Sequence, residues 1–277
     1  MPTIKQIKDR IKDRTIAEYT AFASHLAETA GQTILPHFRS RIAVHNKAAA
    51  KGYDPVTAAD REAERVIRDE IHRVYPTHAI HGEEHGITAG SDGLTWVIDP
   101  IDGTRAFIIG QLHWGVLIGL NDGTRPIVGV MHQPYTDEMF VGSRRGAEFR
   151  HGSQRKPLRV RRCARLENAV VCATDPAMFS RPAERDAFHE LASKSRLRRY
   201  GGDCYSYCLL AAGFIDLVIE SSLQPYDIQP VIPIIEAAGG IVTNWSGGSP
   251  YDGGQVVAAG DARMNKIALS ILKSAAA

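Results

Sequence analysis

Residues 96–105, which read Trp-Val-Ile-Asp-Pro-Ile-Asp-Gly-Thr-Arg, constrain this chain more than any other stretch. Residues 94–98 are apolar and rich in β-branched types, the pattern of a buried strand. The strand then breaks at two acids, Asp99 and Asp102, with Pro100 between them and Gly103 just after. Pro100 fixes its own φ and drives Asp99 towards an extended backbone, so the chain must turn there. Asp102, Gly103 and Thr104 then read as the start of a helix through Ala106 and Phe107, with Asp102 as its N-cap. A helix start offers unpaired N–H groups and a positive dipole end, which suits phosphate. Two carboxylates at the same place would repel that phosphate unless a divalent metal lay between them. A plain polar turn is the competing reading, because Asp, Pro and Gly punctuate loops for local backbone reasons.

The rest of the chain supplies helices first and alternating elements later. Residues 16–38 carry apolar side chains at helical spacing (Ile16, Tyr19, Phe22, Ala23, Leu26, Ala30, Ile34), an amphipathic helix packed on a core. Residues 43–55 are polar and hold Lys47 and Lys51, as a surface loop or hairpin over a site would. Thr57 with Asp60 three residues on is a capping box opening a helix over 58–74, which Pro76 ends. Residues 77–84 read as a short strand running into Glu83 and Glu84. Residues 115–120 and 126–132 form a hairpin around Asn121-Asp122-Gly123-Thr124, followed by short strands over 138–141 and 147–150. Residues 155–165 are basic and loop-like and mark a soft boundary. It separates an α+β half over 1–155, with most of the candidate metal ligands, from an α/β half over 156–277, the two forming one catalytic unit.

In the second half, strands are expected over 169–173, 197–200, 214–220, 240–243 and 255–259. Helices are expected over 182–195, 204–212 and 229–238, with Asp261 capping a last one. Tyr226 and Asp227 open the helix that contains Val231 and Ile235, and Pro230 is acceptable in a first turn. Residues 81–85, His-Gly-Glu-Glu-His, also fit an inverted zinc-peptidase motif. That chemistry needs both histidines on one helix face, and Gly82 and Gly86 disfavour a helix there.

The run Asp-Pro-Ile-Asp-Gly-Thr, the Val-Thr-x-x-Asp segment ending at Asp60, the Gly-Glu-Glu containing Glu83, and Tyr226-Asp227 followed by Ala-Ala-Gly-Gly at 237–240 occur in one order. Together they resemble the inositol monophosphatase family of lithium-sensitive, magnesium-dependent phosphatases. Tyr226 stands where the family's pattern has Trp. The resemblance implies a layered α-β-α-β-α sandwich of the inositol monophosphatase and fructose-1,6-bisphosphatase type. It implies about two to three magnesium ions per site, held by hard oxygen ligands. Their ligands would be Glu83, Asp99, the carbonyl of Ile101, Asp102 and Asp227. Thr104, polarised by Asp60, would orient the attacking water, and Asp102, Gly103 and Thr104 would meet the phosphate. Glu83 would share in catalysis as a ligand.

Residues 105–108 and Gly201-Gly202-Asp203-Cys204-Tyr205 after Arg198 look like the histidinol-phosphate phosphatase branch of that family. On this reading Arg105, Arg198, Gly202, Asp203, Glu220 and Asp227 face the substrate. Carboxylates at Asp203 and Glu220 suit an ammonium and an imidazole better than a ring of hydroxyls. Inositol 1-phosphate, or a related sugar or nucleotide phosphate, is the alternative substrate. A zinc peptidase and a catalytically silent metal- or phosphate-binding module are alternatives of other classes. A formal net charge of +2 points to no obligate nucleic-acid or acidic-membrane partner, and the basic residues of 5–14 are interleaved with Asp9 and Asp13 as on a solvated helix face. No run has the length of a membrane span, and the four cysteines lack a Cys-x-x-Cys pattern, which fits a reducing cytoplasm. The family resemblance also suggests a homodimer.

Overall fold

The structure, a computed structural model, describes residues 4–41, 43–46 and 55–277, with side chains for 15–41, 43–46 and 56–277. Helix α1 (Ile4–Ile34) is followed by strands β1 (Val44–Asn46) and β2 (Pro55–Thr57), which pair antiparallel, and by helix α2 (Ala58–Val74). Strands β3 (Ala79–Gly82), β4 (Gly86–Thr88) and β5 (Thr95–Asp102) lead into the short helix α3 (Thr104–Ile108). Then come β6 (Gly115–Asn121), β7 (Pro126–Gln133), β8 (Glu138–Ser143), β9 (Gly146–His151) and β10 (Gln154–Pro157). Strands β3 to β10 form one eight-stranded sheet in the order β10-β9-β8-β7-β6-β5-β3-β4, antiparallel except between β5 and β3.

The second half builds β11 (Val170–Ala173), α4 (Pro182–Ser193), β12 (Leu197–Tyr200), α5 (Asp203–Ala211) and β13 (Leu217–Leu223). It continues with α6 (Pro225–Ile228), α7 (Ile232–Ala237), β14 (Ile241–Asn244), β15 (Gly254–Ala259) and α8 (Ala262–Leu272). Its five strands lie in the order β12-β11-β13-β15-β14, with β11 parallel to both of its neighbours.

Strand alternation explains the layering. Val116, Ile118 and Leu120 of β6 face Leu26, Ala27 and Ala30 of α1 and the Ala63, Ile67, Ile71 stripe of α2. Leu117, from the other face of β6, joins Cys208 of α5, Ile234 of α7 and Val218 and Val256 of the second sheet. Leu217, Ile219 and Val257, from the far face of that sheet, pack on Leu191 of α4 and Ala268 and Leu272 of α8. Each sheet is therefore covered on both faces, and the molecule is an α-β-α-β-α sandwich.

Several local expectations change. Strand β5 runs on through both acids, and the N-cap of α3 is Gly103, not Asp102. The helix expected to open at Tyr226 and Asp227 and run to 238 is interrupted, with α6 ending at Ile228 and α7 starting at Ile232, because Pro230 and Pro233 each remove a backbone donor from its ladder. Strand β13 runs from Leu217 to Leu223, so Glu220, the end of the strand expected over 214–220, lies buried in its interior. The basic stretch over 155–165 begins as β10, the edge of the large sheet. His81 and His85 lie on β3 and the turn after it, with no helix to bring them one turn apart, which removes the zinc-peptidase geometry. Lys47, Lys51 and the side chains of residues 5–14 lie outside the described residues. All four cysteines are free and buried. Among the described residues no helix is long and apolar enough to cross a membrane.

Candidate active site

Asp99 and Asp102 reach the same side of β5 because of a bulge. Asp99 pairs with Leu117 and Asp102 with Gly115, so three steps on β5 match two on β6. In a regular strand, residues three apart point to opposite faces; one extra residue restores a common face. The Asp99 carboxylate accepts from the Ile101 N–H at 3.0 Å, which holds the bulge, and the Thr104 hydroxyl donates to the Ile101 carbonyl at 3.0 Å. Asp102 accepts from the Cys204 N–H at 2.6 Å and so ties the first turn of α5 to the site. Asp203 is the first residue of that helix, at φ 42°, and lines the cavity.

Asp227 arrives from the opposite direction on α6, fixed by the Gln224 N–H at 2.7 Å. Glu83 follows β3, with its own N–H bonded to the Ile98 carbonyl at 3.2 Å. One carboxylate oxygen from each of Asp99, Asp102 and Asp227 lies within 4.8 Å of the others, and the Glu83 side chain hydrogen-bonds to Asp99. A cavity of about 190 Å³ holds these four acids with Ile101, Gly103 and Thr104. Asp203, Glu220, Tyr207 and Thr174 line it too. Clefts of about 680 and 750 Å³ elsewhere on the surface are larger. Neither gathers three acids at one point among the described residues, so chemistry rather than volume identifies the site.

The electrostatics are those of an anion cluster awaiting a counter-charge. Burial first, then the charges of Glu83, Asp102 and Asp227, lift the Asp99 carboxyl well above its ordinary range. Burial and the Asp102 charge do the same to Asp227, and burial raises Asp102. Asp203 is pushed up to about 8, by burial and then by Asp102 and Glu220. Glu220 is pushed up to about 7 by burial, although Thr174 (N–H at 2.9 Å, hydroxyl at 2.6 Å) and Tyr207 (hydroxyl at 2.9 Å) hydrogen-bond to it. Carboxylates packed this closely ionise together only beside a cation. An all-oxygen donor set fits a hard divalent ion.

Not every expected residue enters this arrangement. Asp60 is fully buried, but its Oδ2 accepts from the Thr57 N–H at 2.9 Å and hydroxyl at 2.5 Å, while Oδ1 has no partner. With the Thr104 hydroxyl turned to Ile101, the expected bond from Thr104 to Asp60 is not formed. Arg105 is exposed on α3 and lies 3.9 Å from Asp175. Arg198 sits on the edge strand β12, with its guanidinium on the Ala192 carbonyl at 3.4 Å, outside the cavity lining. Gly202 is the N-cap of α5, packed on Ser206, and does not line the cavity either. Cys204 of the 201–205 motif lines it, as do Thr174, Tyr207, Met178 and Leu223, which no motif marks. The position of Tyr207, one helical turn after Asp203, was the available signal for one of them.

The model of the inositol monophosphatase family matches residues 15–275. The chain is 36% identical to the bifunctional phosphatase IMPL2, chloroplastic, of Arabidopsis thaliana, over 95% of this chain and 77% of that one. It is 35% identical to a histidinol-phosphatase of Chlorobaculum parvum, over 87% and 91% of the two chains. Among solved structures, an inositol monophosphatase from Zymomonas mobilis superposes with a TM-score of 0.81 at 34% identity, covering 93% of this chain and 98% of that one.

Proposed function

Since the chain belongs to the inositol monophosphatase family and is a phosphatase of phosphoric monoesters, we propose that it hydrolyses histidinol phosphate to histidinol with magnesium. The observation that carries the substrate assignment is the pair Asp203 and Glu220, whose carboxyl groups line the same small cavity as the metal ligands. A leaving alcohol bearing an ammonium and an imidazole finds charge-assisted acceptors there, whereas a polyol finds groups better suited to cations. The similarity to a histidinol-phosphatase over most of both chains supports the same reading.

Magnesium would be held by Glu83, Asp99, the Ile101 carbonyl, Asp102 and Asp227, and when bound it neutralises the phosphate and acidifies a water. The chain's own groups do the rest. Gly103 and Thr104, at the cavity wall, orient the phosphate and the attacking water. For Thr104 to pass its proton on, its hydroxyl must turn from Ile101 towards the uncommitted Oδ1 of Asp60. Asp203 and Glu220 hold the amine end, so that the ester oxygen is aligned for departure. Arg105, exposed at the start of α3, would have to leave Asp175 to reach the phosphate. We take the enzyme to work as a cytoplasmic homodimer.

The second reading, inositol 1-phosphate, is favoured by the likeness to the Zymomonas mobilis structure. A phosphate-release screen with chelator-stripped enzyme, with and without magnesium, separates the two. Its substrates are histidinol phosphate, inositol 1-phosphate, fructose 1,6-bisphosphate and adenosine 3′,5′-bisphosphate. The highest magnesium-dependent kcat/KM is expected for histidinol phosphate; a higher value for inositol 1-phosphate replaces this assignment.

A further inference from the structure

Glu83 sits in a three-residue turn between β3 and β4, and that turn is fastened from behind by two buried charges on α2. Glu64 is fully buried and accepts from the Glu84 N–H at 2.6 Å through one oxygen. Its other oxygen accepts from the His85 N–H at 3.1 Å and from Arg68 Nε at 2.7 Å. Arg68, 7% exposed, donates in turn to the Thr88 hydroxyl at 2.9 Å and to the Gly86 carbonyl. A Cβ at Gly82 would stand 2.1 Å from Glu64 Oε1, so the strand end and the carboxylate are in direct register. On its other side the turn meets β5, through the bond from the Glu83 N–H to the Ile98 carbonyl.

Stability alone does not account for such a pair, because a buried ion pair is often no better than an apolar pair of the same shape. What an apolar pair could not do is accept two turn N–H groups and donate to the far end of the same turn. We propose that Glu64 and Arg68 are positioning residues for the metal site. They hold the turn from 83 to 85 so that the Glu83 carboxylate stands against Asp99, and cation affinity thereby depends on two side chains that touch no cation. Groups that orient metal ligands through hydrogen bonds act in this way generally. The inference rests on the reading of Glu83 as a metal ligand.

Calorimetric titration of magnesium into chelator-stripped protein tests it, with wild type, Glu64→Gln and Glu83→Gln compared and the fold checked by circular dichroism. Glu64→Gln keeps the shape, but its amide brings donors to where Glu84, His85 and Arg68 all donate. Its magnesium affinity is expected to fall about 10- to 100-fold, with phosphate release restored as magnesium is raised. Wild-type affinity in a folded Glu64→Gln overturns the positioning role. Wild-type affinity in Glu83→Gln instead overturns the ligand reading, and the inference with it. Should Glu64→Gln fail to fold, Thr88→Val decides: it removes one bond to Arg68, and a severalfold weaker affinity supports the inference while an unchanged one overturns it.

Discussion

Gly103 adopts a φ of 84°, and a Cβ there would lie 2.5 Å from the His113 carbonyl oxygen, so both conformation and space at this position require glycine. Gly103→Ala is therefore expected to cost at least about 2 kcal/mol, from left-handed strain and the clash together. A urea melt reads this, and an unchanged midpoint contradicts it. Four residues earlier the effect should be on chemistry: Asp99→Asn removes a carboxylate from the cluster of three and is expected to lower kcat by about three orders of magnitude while leaving the melt intact. Near-normal turnover would remove Asp99 from the reaction. Asp203 belongs to substrate choice. Asp203→Asn should raise KM for histidinol phosphate by about 10- to 100-fold, the worth of a charged hydrogen bond. Its KM for inositol 1-phosphate should change far less, and equal losses on both esters contradict the role given to the acidic pair.

The elements carry these residues to one place through close backbone approaches. A Cβ on Gly142 of β8 would lie 2.3 Å from the Ile234 Cα, and one on Gly129 of β7 would lie 1.8 Å from the Pro230 carbonyl oxygen. The segment that carries Asp227 and α7 thus lies directly on the large sheet. Gly142→Ala is expected to destabilise by about 1–3 kcal/mol through overpacking, read by thermal melt, and to weaken magnesium binding because the displaced α7 follows closely on α6, which carries Asp227. Elements whose cause is local were legible in the sequence. The capping box at Thr57 and Asp60 starts α2, and the turn at 121–124 joins β6 to β7. The bulge that aligns Asp99 with Asp102 was not legible, because it is defined by pairing with β6, and periodicity within one strand cannot show it. The division between α6 and α7 escaped for a different reason: each proline alone is tolerable near a helix start, and only the two together interrupt the ladder. Among site residues, the acids were legible because motifs carry them. Thr174 was not, since nothing local marks a hydroxyl that supports Glu220 across 46 residues of chain, and for Tyr207 the sole local mark is its place one turn after Asp203.

At the scale of the molecule, the cavity takes acids from the large sheet, from α6 and from the second sheet and α5, so it exists only when both sheets are assembled around the central helices. Folding thereby concentrates negative charge, and pH should expose that cost when metal is absent. Glu220 at about 7 and Asp203 at about 8 lie above their ordinary 4.5 and 3.8. The folded state then keeps protons that the unfolded chain releases. Their contribution is fully present below about pH 4 and is lost as pH rises through about 7 to 8. The Tm of chelator-treated protein should therefore fall between about pH 5 and pH 8, and magnesium should shrink that fall; a Tm flat across this range contradicts the shifts. The convergence of distant acids on shared cations is tested most directly by anomalous scattering from crystals soaked in manganese. The expected result is ions bound jointly by Asp99, Asp102 and Asp227, with Glu83 beside Asp99; manganese found only elsewhere, with these carboxylates uncoordinated, would contradict it.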